Sequence, residues 1–127
     1  MPALTDALTS RSELVRWGAA KVLGDIANPS SAEALVRALE DEDGGVRWLA
    51  AQGLIAIGPG ALRPLCRRLL AASDSPWLHE GAHHVLRAIG TPVAIPVVHA
   101  LEGHFPALTV PTTASEALKR LESEPRP

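Results

Sequence analysis

The stretch Val46-Arg47-Trp48-Leu49-Ala50-Ala51-Gln52-Gly53-Leu54-Ile55-Ala56-Ile57 decides the fold, because the chain carries it in four versions. VRWGAAKVLGDI begins at Val15, 31 residues earlier; LHEGAHHVLRAI begins at Leu78 and VPTTASEALKRL at Val110, each 32 residues after the last. Four positions in stand Ala19, Ala50, Ala82 and Ala114. Eight in stand Leu23, Leu54, Leu86 and Leu118, and eleven in stand Ile26, Ile57, Ile89 and Leu121. At roughly 100° per residue these offsets fall within one helical stripe about 80° wide. The pattern predicts one amphipathic helix, repeated four times.

A shorter apolar run precedes each later copy: SAEALVRALE from Ser31, ALRPLCRRLL from Ala61 and PVAIPVVHALE from Pro92. A truncated version, PALTDAL, opens the chain. Punctuation separates the helices. Ser10-x-x-Glu13 and Ser30-x-x-Glu33 fit capping boxes, and Ser75-Pro76 and Thr91-Pro92 set a hydroxyl before a first-turn proline. Asp43-Gly44-Gly45 and Gly58-Pro59-Gly60 are breakers. Each unit is then a pair of helices, A and B, which must stack on its neighbours to bury its stripe. The expectation is one all-α domain of about four units, near residues 2–27, 30–58, 60–90 and 91–122, with a flexible tail at 123–127.

Composition agrees. Of 127 residues, 46% are hydrophobic and 20% charged, which excludes a disordered chain. Aromatics make up 3% and tyrosine is absent, a balance that favours helices over strands. A net charge of -2 supplies no basic stripe for nucleic acid. No apolar run approaches the roughly 20 residues that span a bilayer. MPALTDALTS lacks the features of a signal peptide, and a single cysteine, Cys66, suits a reducing compartment. These readings predict a cytoplasmic protein without nucleic-acid or membrane partners.

The pattern V-R-x-x-A-A-x-x-L-x-x-I-G after a shorter helix resembles the HEAT-like repeat of the phycobilisome-lyase type. The resemblance runs from about Pro2 to Leu121, closest in VRWLAAQGLIAIG and weakest in the fourth unit, where Pro111 replaces the arginine. It implies a short right-handed α-solenoid whose B helices line a concave face. It also implies binding rather than catalysis, with another protein as partner and no cofactor. A bilin lyase or bilin-handling subunit, holding a tetrapyrrole in the groove, is the alternative that the family name carries.

One motif points elsewhere. His79-Glu80-Gly81-Ala82-His83 reads H-E-x-x-H, the helical arrangement by which two histidines hold zinc while a glutamate acts as general base. Its register argues against that chemistry. His79 stands where Arg16 and Arg47 stand, and His83 where Ala20 and Ala51 stand, so the adjoining helices offer no third ligand. The di-iron deoxyhypusine hydroxylases resemble this fold, but their His-Glu pairs begin one repeat position later. His79 and His83 remain the only metal candidates, and the expectation is no metal site. His83 and His84 are read instead as a polar pair at the seam of the third and fourth B helices.

The candidate binding surface is the ladder two positions in: Trp17, Trp48, Glu80 and Thr112. Offset 2 lies about 200° from the reference valine, outside the buried stripe. Beside it run Arg16, Arg47 and His79, then Lys21, Gln52, His84 and Glu116. Tryptophan and arginine are the residue types enriched at binding hot spots. The same residues admit structural uses: the tryptophans as covers over the seams, the arginines as partners of Asp41, Glu42 or Asp43. Trp77 is read as packing over a loop, Arg63, Arg67 and Arg68 as a solvated outer face, and Cys66 as a buried small hydrophobe.

Overall fold

The computed structural model describes residues 2–72 and 74–123. These form eight α-helices: α1 (Pro2–Ala7), α2 (Glu13–Ile26), α3 (Ala32–Ala38), α4 (Gly44–Ile57), α5 (Leu62–Ala71), α6 (Pro76–Ile89), α7 (Ile95–Glu102) and α8 (Pro106–Ser123). No β-strand occurs among the described residues. The fold is an all-α solenoid of helix pairs, with α2, α4 and α6 as successive B helices. The final helix reaches Ser123, and the remainder of the tail expected at 123–127 lies outside the described residues.

The repeat builds the core. Ala50, Ala82 and Ala114 have no exposed surface, and Ala19 almost none, because small residues let adjacent helices approach. Leu23, Leu54 and Leu86 are fully buried, while Leu118 is only partly so. Cys66 is buried in α5, and burial pushes its thiol up to about 11.

The B-helix starts follow local chemistry. Ser12, Asp43 and Ser75 cap α2, α4 and α6, each side chain accepting from the amide three residues on: Val15, Val46 and Leu78. Three expected caps are absent. Ser12 rather than Ser10 caps α2; the Ser10 hydroxyl instead accepts from the Ser12 amide at 3.1 Å. Ahead of α3, Asn28 caps a 3₁₀ turn at Pro29–Ser31, so Ser30 is spent inside that turn. The Thr91 hydroxyl caps nothing and is buried without a partner; α7 begins only at Ile95.

The last hairpin departs from the repeat. α2 packs on α4, and α4 on α6, as stacked B helices should. The next neighbour of α6 is α7, whereas α8 packs chiefly on α5 and α7. Arg63 fastens this arrangement by donating to the Leu121 carbonyl at 2.8 Å. Arg63 is therefore not a solvated residue of an outer face. Thr112 and Glu116, expected as the fourth rung of the B-helix ladder, lie on a helix that stacks in the A layer instead.

Candidate functional site

Two seams join the three stacked B helices, and they differ. At the α2–α4 seam the backbones nearly touch. A Cβ added to Gly24 would lie 3.3 Å from the Gly53 Cα, and one added to Gly53 3.1 Å from the Leu35 side chain. At the α4–α6 seam, the register puts Ile55 and Val85 where Gly24 and Gly53 stand in the first. Two branched side chains hold helices apart where two glycines let them close. The second seam opens into a groove of about 820 Å³, lined by Leu39, Trp48, Ala51, Trp77 and Gly81 together with Arg47, Glu80, His83, His84 and Arg87.

Equivalent residues meet different fates at the two seams. Trp17 lies over Gly45, where a Cβ would stand 2.5 Å from the indole Nε1, and keeps 46% of its surface exposed. Trp48 stacks on His84, ring centres 5.4 Å apart and planes at 26°, and keeps 58% of its surface exposed. Arg16 binds Asp41 through Nε at 2.9 Å and the Ser10 carbonyl through Nη1 at 2.9 Å. Its side chain is 11% exposed and that of Asp41 10%, so Arg16 is a strut paired with one of the acids that the sequence offers it. Arg47 instead donates to the Asp41 carbonyl at 2.6 Å and lies over the Trp77 ring, 4.4 Å from its centre. Where Asp41 precedes the second B helix, the register places Ser73 before the third, outside the described residues. The sequence there offers Arg47 a serine where Arg16 has a carboxylate.

The remaining candidates divide. Lys21 is exposed and pairs with Asp25 within α2 at 3.0 Å, away from the groove. Gln52 and His84 face each other across the second seam, Nε2 to Nε2 at 3.2 Å. Glu80 is exposed at the groove edge. His83 and His84 do not form a pair at one seam. His84 belongs to the α4–α6 seam, and His83 binds Glu102 of α7, Nε2 to Oε2 at 2.7 Å. That hydrogen bond holds the Glu102 carboxyl below its ordinary value, helped by the charges of His83, Arg87 and His99 and opposed by desolvation.

The Nε2 of His79 is buried and unpartnered. No three histidine, cysteine, aspartate or glutamate side chains come together in metal-binding geometry among the described residues. No helix among them is long and apolar enough to cross a membrane. The sequence reading missed Trp77, which sits in the first turn of α6 and walls the groove rather than covering a loop. Its position next to the cap, one residue before the repeat's reference leucine, was the available signal.

A family model of HEAT repeats matches the chain twice, over residues 1–74 and 38–119. No curated protein matches it. The two matches overlap across α4 and α5 and together take in three copies of the repeat and most of the fourth, in line with the stacked helix pairs. The chain belongs to the HEAT-repeat family.

Proposed function

We propose that the protein is a non-catalytic interaction module that holds a protein partner on its B-helix face, in the groove between α4 and α6. The observation that carries this reading is Trp48. It is large, more than half exposed and held flat by His84, beside the Arg47–Trp77 pair. A rigid aromatic anchor next to an arginine loses little conformational entropy on binding and gains much desolvated area. Family membership supports the class of function, since stacked repeats expose long surfaces that typically receive other proteins.

The test is capture of a partner from native lysate by the parent and by Trp48→Ala. The variant should melt like the parent, because the indole leaves little of the core when removed. It should lose the partner, since a central aromatic anchor costs at least about 2 kcal/mol when truncated. A variant that keeps its partner refutes the groove. The same preparation, made without a histidine tag, should contain substoichiometric zinc and iron by elemental analysis. A tightly held ion lost in His83→Ala would restore the metalloenzyme reading.

The bilin reading has one observation in its favour: a groove of about 820 Å³ with Arg47 and Arg87 in its lining and tryptophan walls for a tetrapyrrole. Its measurement is the absorbance of phycocyanobilin on mixing. An unshifted spectrum removes it.

A further inference from the structure

Each later B helix packs on its predecessor through one row of residues. On α4 that row is Gly45, Leu49 and Gly53, which lies against Trp17 and Gly24 of α2. The register equivalents on α2 are Leu14, Gly18 and Val22. Among the described residues no helix covers them. Leu14 is 85% exposed, Val15, Val22 and Ile26 are also exposed, and a Cβ on Gly18 would meet nothing. The repeat shows how unusual this is: Val46, Leu78 and Val110, the counterparts of Val15, have no exposed surface.

The other end of the array is built differently. There α7 lies on α6 and α8 turns onto α5, so that end presents no B helix with the matching row, although Ile95, Phe105 and Leu108 are exposed there. Head-to-tail stacking of copies therefore lacks its second half. A contact of the open face with itself does not, and two-fold closure is the commonest way for a chain to bury such a surface.

We propose that this face of α2 is an isologous dimer contact, in which two copies pack α2 antiparallel across a two-fold axis at Gly18. The register is self-complementary. Centred there, Leu14 opposes Val22 of the second copy and the two Gly18 residues oppose each other, while Arg11, just ahead of the Ser12 cap, lies at the end of α2 that meets Asp25 of the second copy. Gly18 permits the close backbone approach that Gly24 and Gly53 make within the chain. Arg11 forms no ion pair among the described residues, and Asp25, 65% exposed beside Lys21, retains oxygen lone pairs for a second cation. The contact is separate from the α4–α6 groove.

Sedimentation equilibrium of the untagged full chain tests it. The parent should show twice the 13.4 kDa chain mass. Gly18→Arg has open space in the monomer and a better helix former than glycine, so it should stay folded by circular dichroism while the mass falls twofold. Leu14→Glu repeats the test at a side chain that is almost fully exposed. Asp25→Arg should also dissociate the dimer, and adding Arg11→Asp should restore it by exchanging the charges. A parent that stays monomeric up to its solubility limit overturns the proposal. So does a folded Gly18→Arg variant that remains dimeric, or a charge exchange that restores nothing.

Discussion

The α2–α4 and α4–α6 seams are made by the same repeat and do opposite things. In the first, Gly24 meets Gly53, Trp17 closes over Gly45, and Arg16 is tied to Asp41. In the second, the branched Ile55 and Val85 replace the glycines, Trp48 stays exposed, and Arg47 turns onto Trp77. A repeat copies the backbone and the buried stripe. What the outer residues do depends on a few unrepeated neighbours, here three glycines and one aspartate. The closed seam ties its arginine into the fold, and the open seam leaves Trp48 and Arg47 at the groove proposed as the binding site.

The floor shared by both seams should give the largest effect. Leu54 is fully buried on the middle helix, so Leu54→Ala should cost about 2–5 kcal/mol in urea melts. Gln52, two residues earlier and exposed, should change stability by less than about 0.5 kcal/mol when cut to alanine. Equal losses would mean that the stripe has been placed on the wrong face.

Converting the first seam into a copy of the second is the next test. Gly53→Val gives α4 the residue that α6 carries at the equivalent position, Val85. Its Cβ would stand 3.2 Å from the Gly24 Cα and 3.1 Å from the Leu35 side chain, and the backbone cannot yield as a side-chain end can. The expected loss is about 1–3 kcal/mol, after the modest gain in helix propensity. A neutral variant would show that glycine pairing is not what closes the seam.

Much of this was legible in the sequence, and the limit has a physical cause. The stripe of Leu23, Leu54 and Leu86 dictates burial on any helix that carries it, so the solenoid could be read from spacing alone. A stripe does not name the helix it will be buried against. Val110 and Ala114 are buried as the pattern requires, yet α8 buries them against α5 and α7. The caps were partly legible: Ser75 works as an isolated side chain does, while Ser30 lost its role to a turn begun by Asn28 and Pro29. The ladder of Trp17 and Trp48 was visible, but not the split between them. That split rests on Gly45, which reads as part of an ordinary breaker, and on Asp41, which the sequence offers equally to Arg16 and Arg47.

Paired arginine variants isolate that split. Arg16→Ala leaves the Asp41 carboxylate largely buried without its guanidinium and should cost about 1–3 kcal/mol. Arg47→Ala removes a half-buried cation–π contact and should cost about 0.5–1 kcal/mol, while weakening capture of the partner. Stability loss without a binding loss is expected for the first, and the reverse emphasis for the second. If the two variants behave alike in both measurements, the seams do not divide the labour as described.

The smallest effect belongs to the place where the array stops being regular. His83 projects from α6 at the position from which Ala20 and Ala51 meet the next B helix, and there it finds Glu102 of α7. The Glu102 carboxyl is held below its ordinary value, first by the hydrogen bond from His83. A carboxyl whose folded-state pKa lies below its unfolded value stabilises the fold above the unfolded pKa, near 4 for a glutamate, and loses that contribution as pH falls through the lowered value. The melting temperature of the parent should therefore fall more steeply below about pH 4 than that of Glu102→Gln, which lacks the titrating group. Above that range the variant should melt slightly lower, because both partners are partly solvated and such pairs contribute little. Superimposable acid limbs would mean that Glu102 does not anchor α7 on α6, and that α8 alone, through Arg63 and the α5 face, holds the end of the array closed.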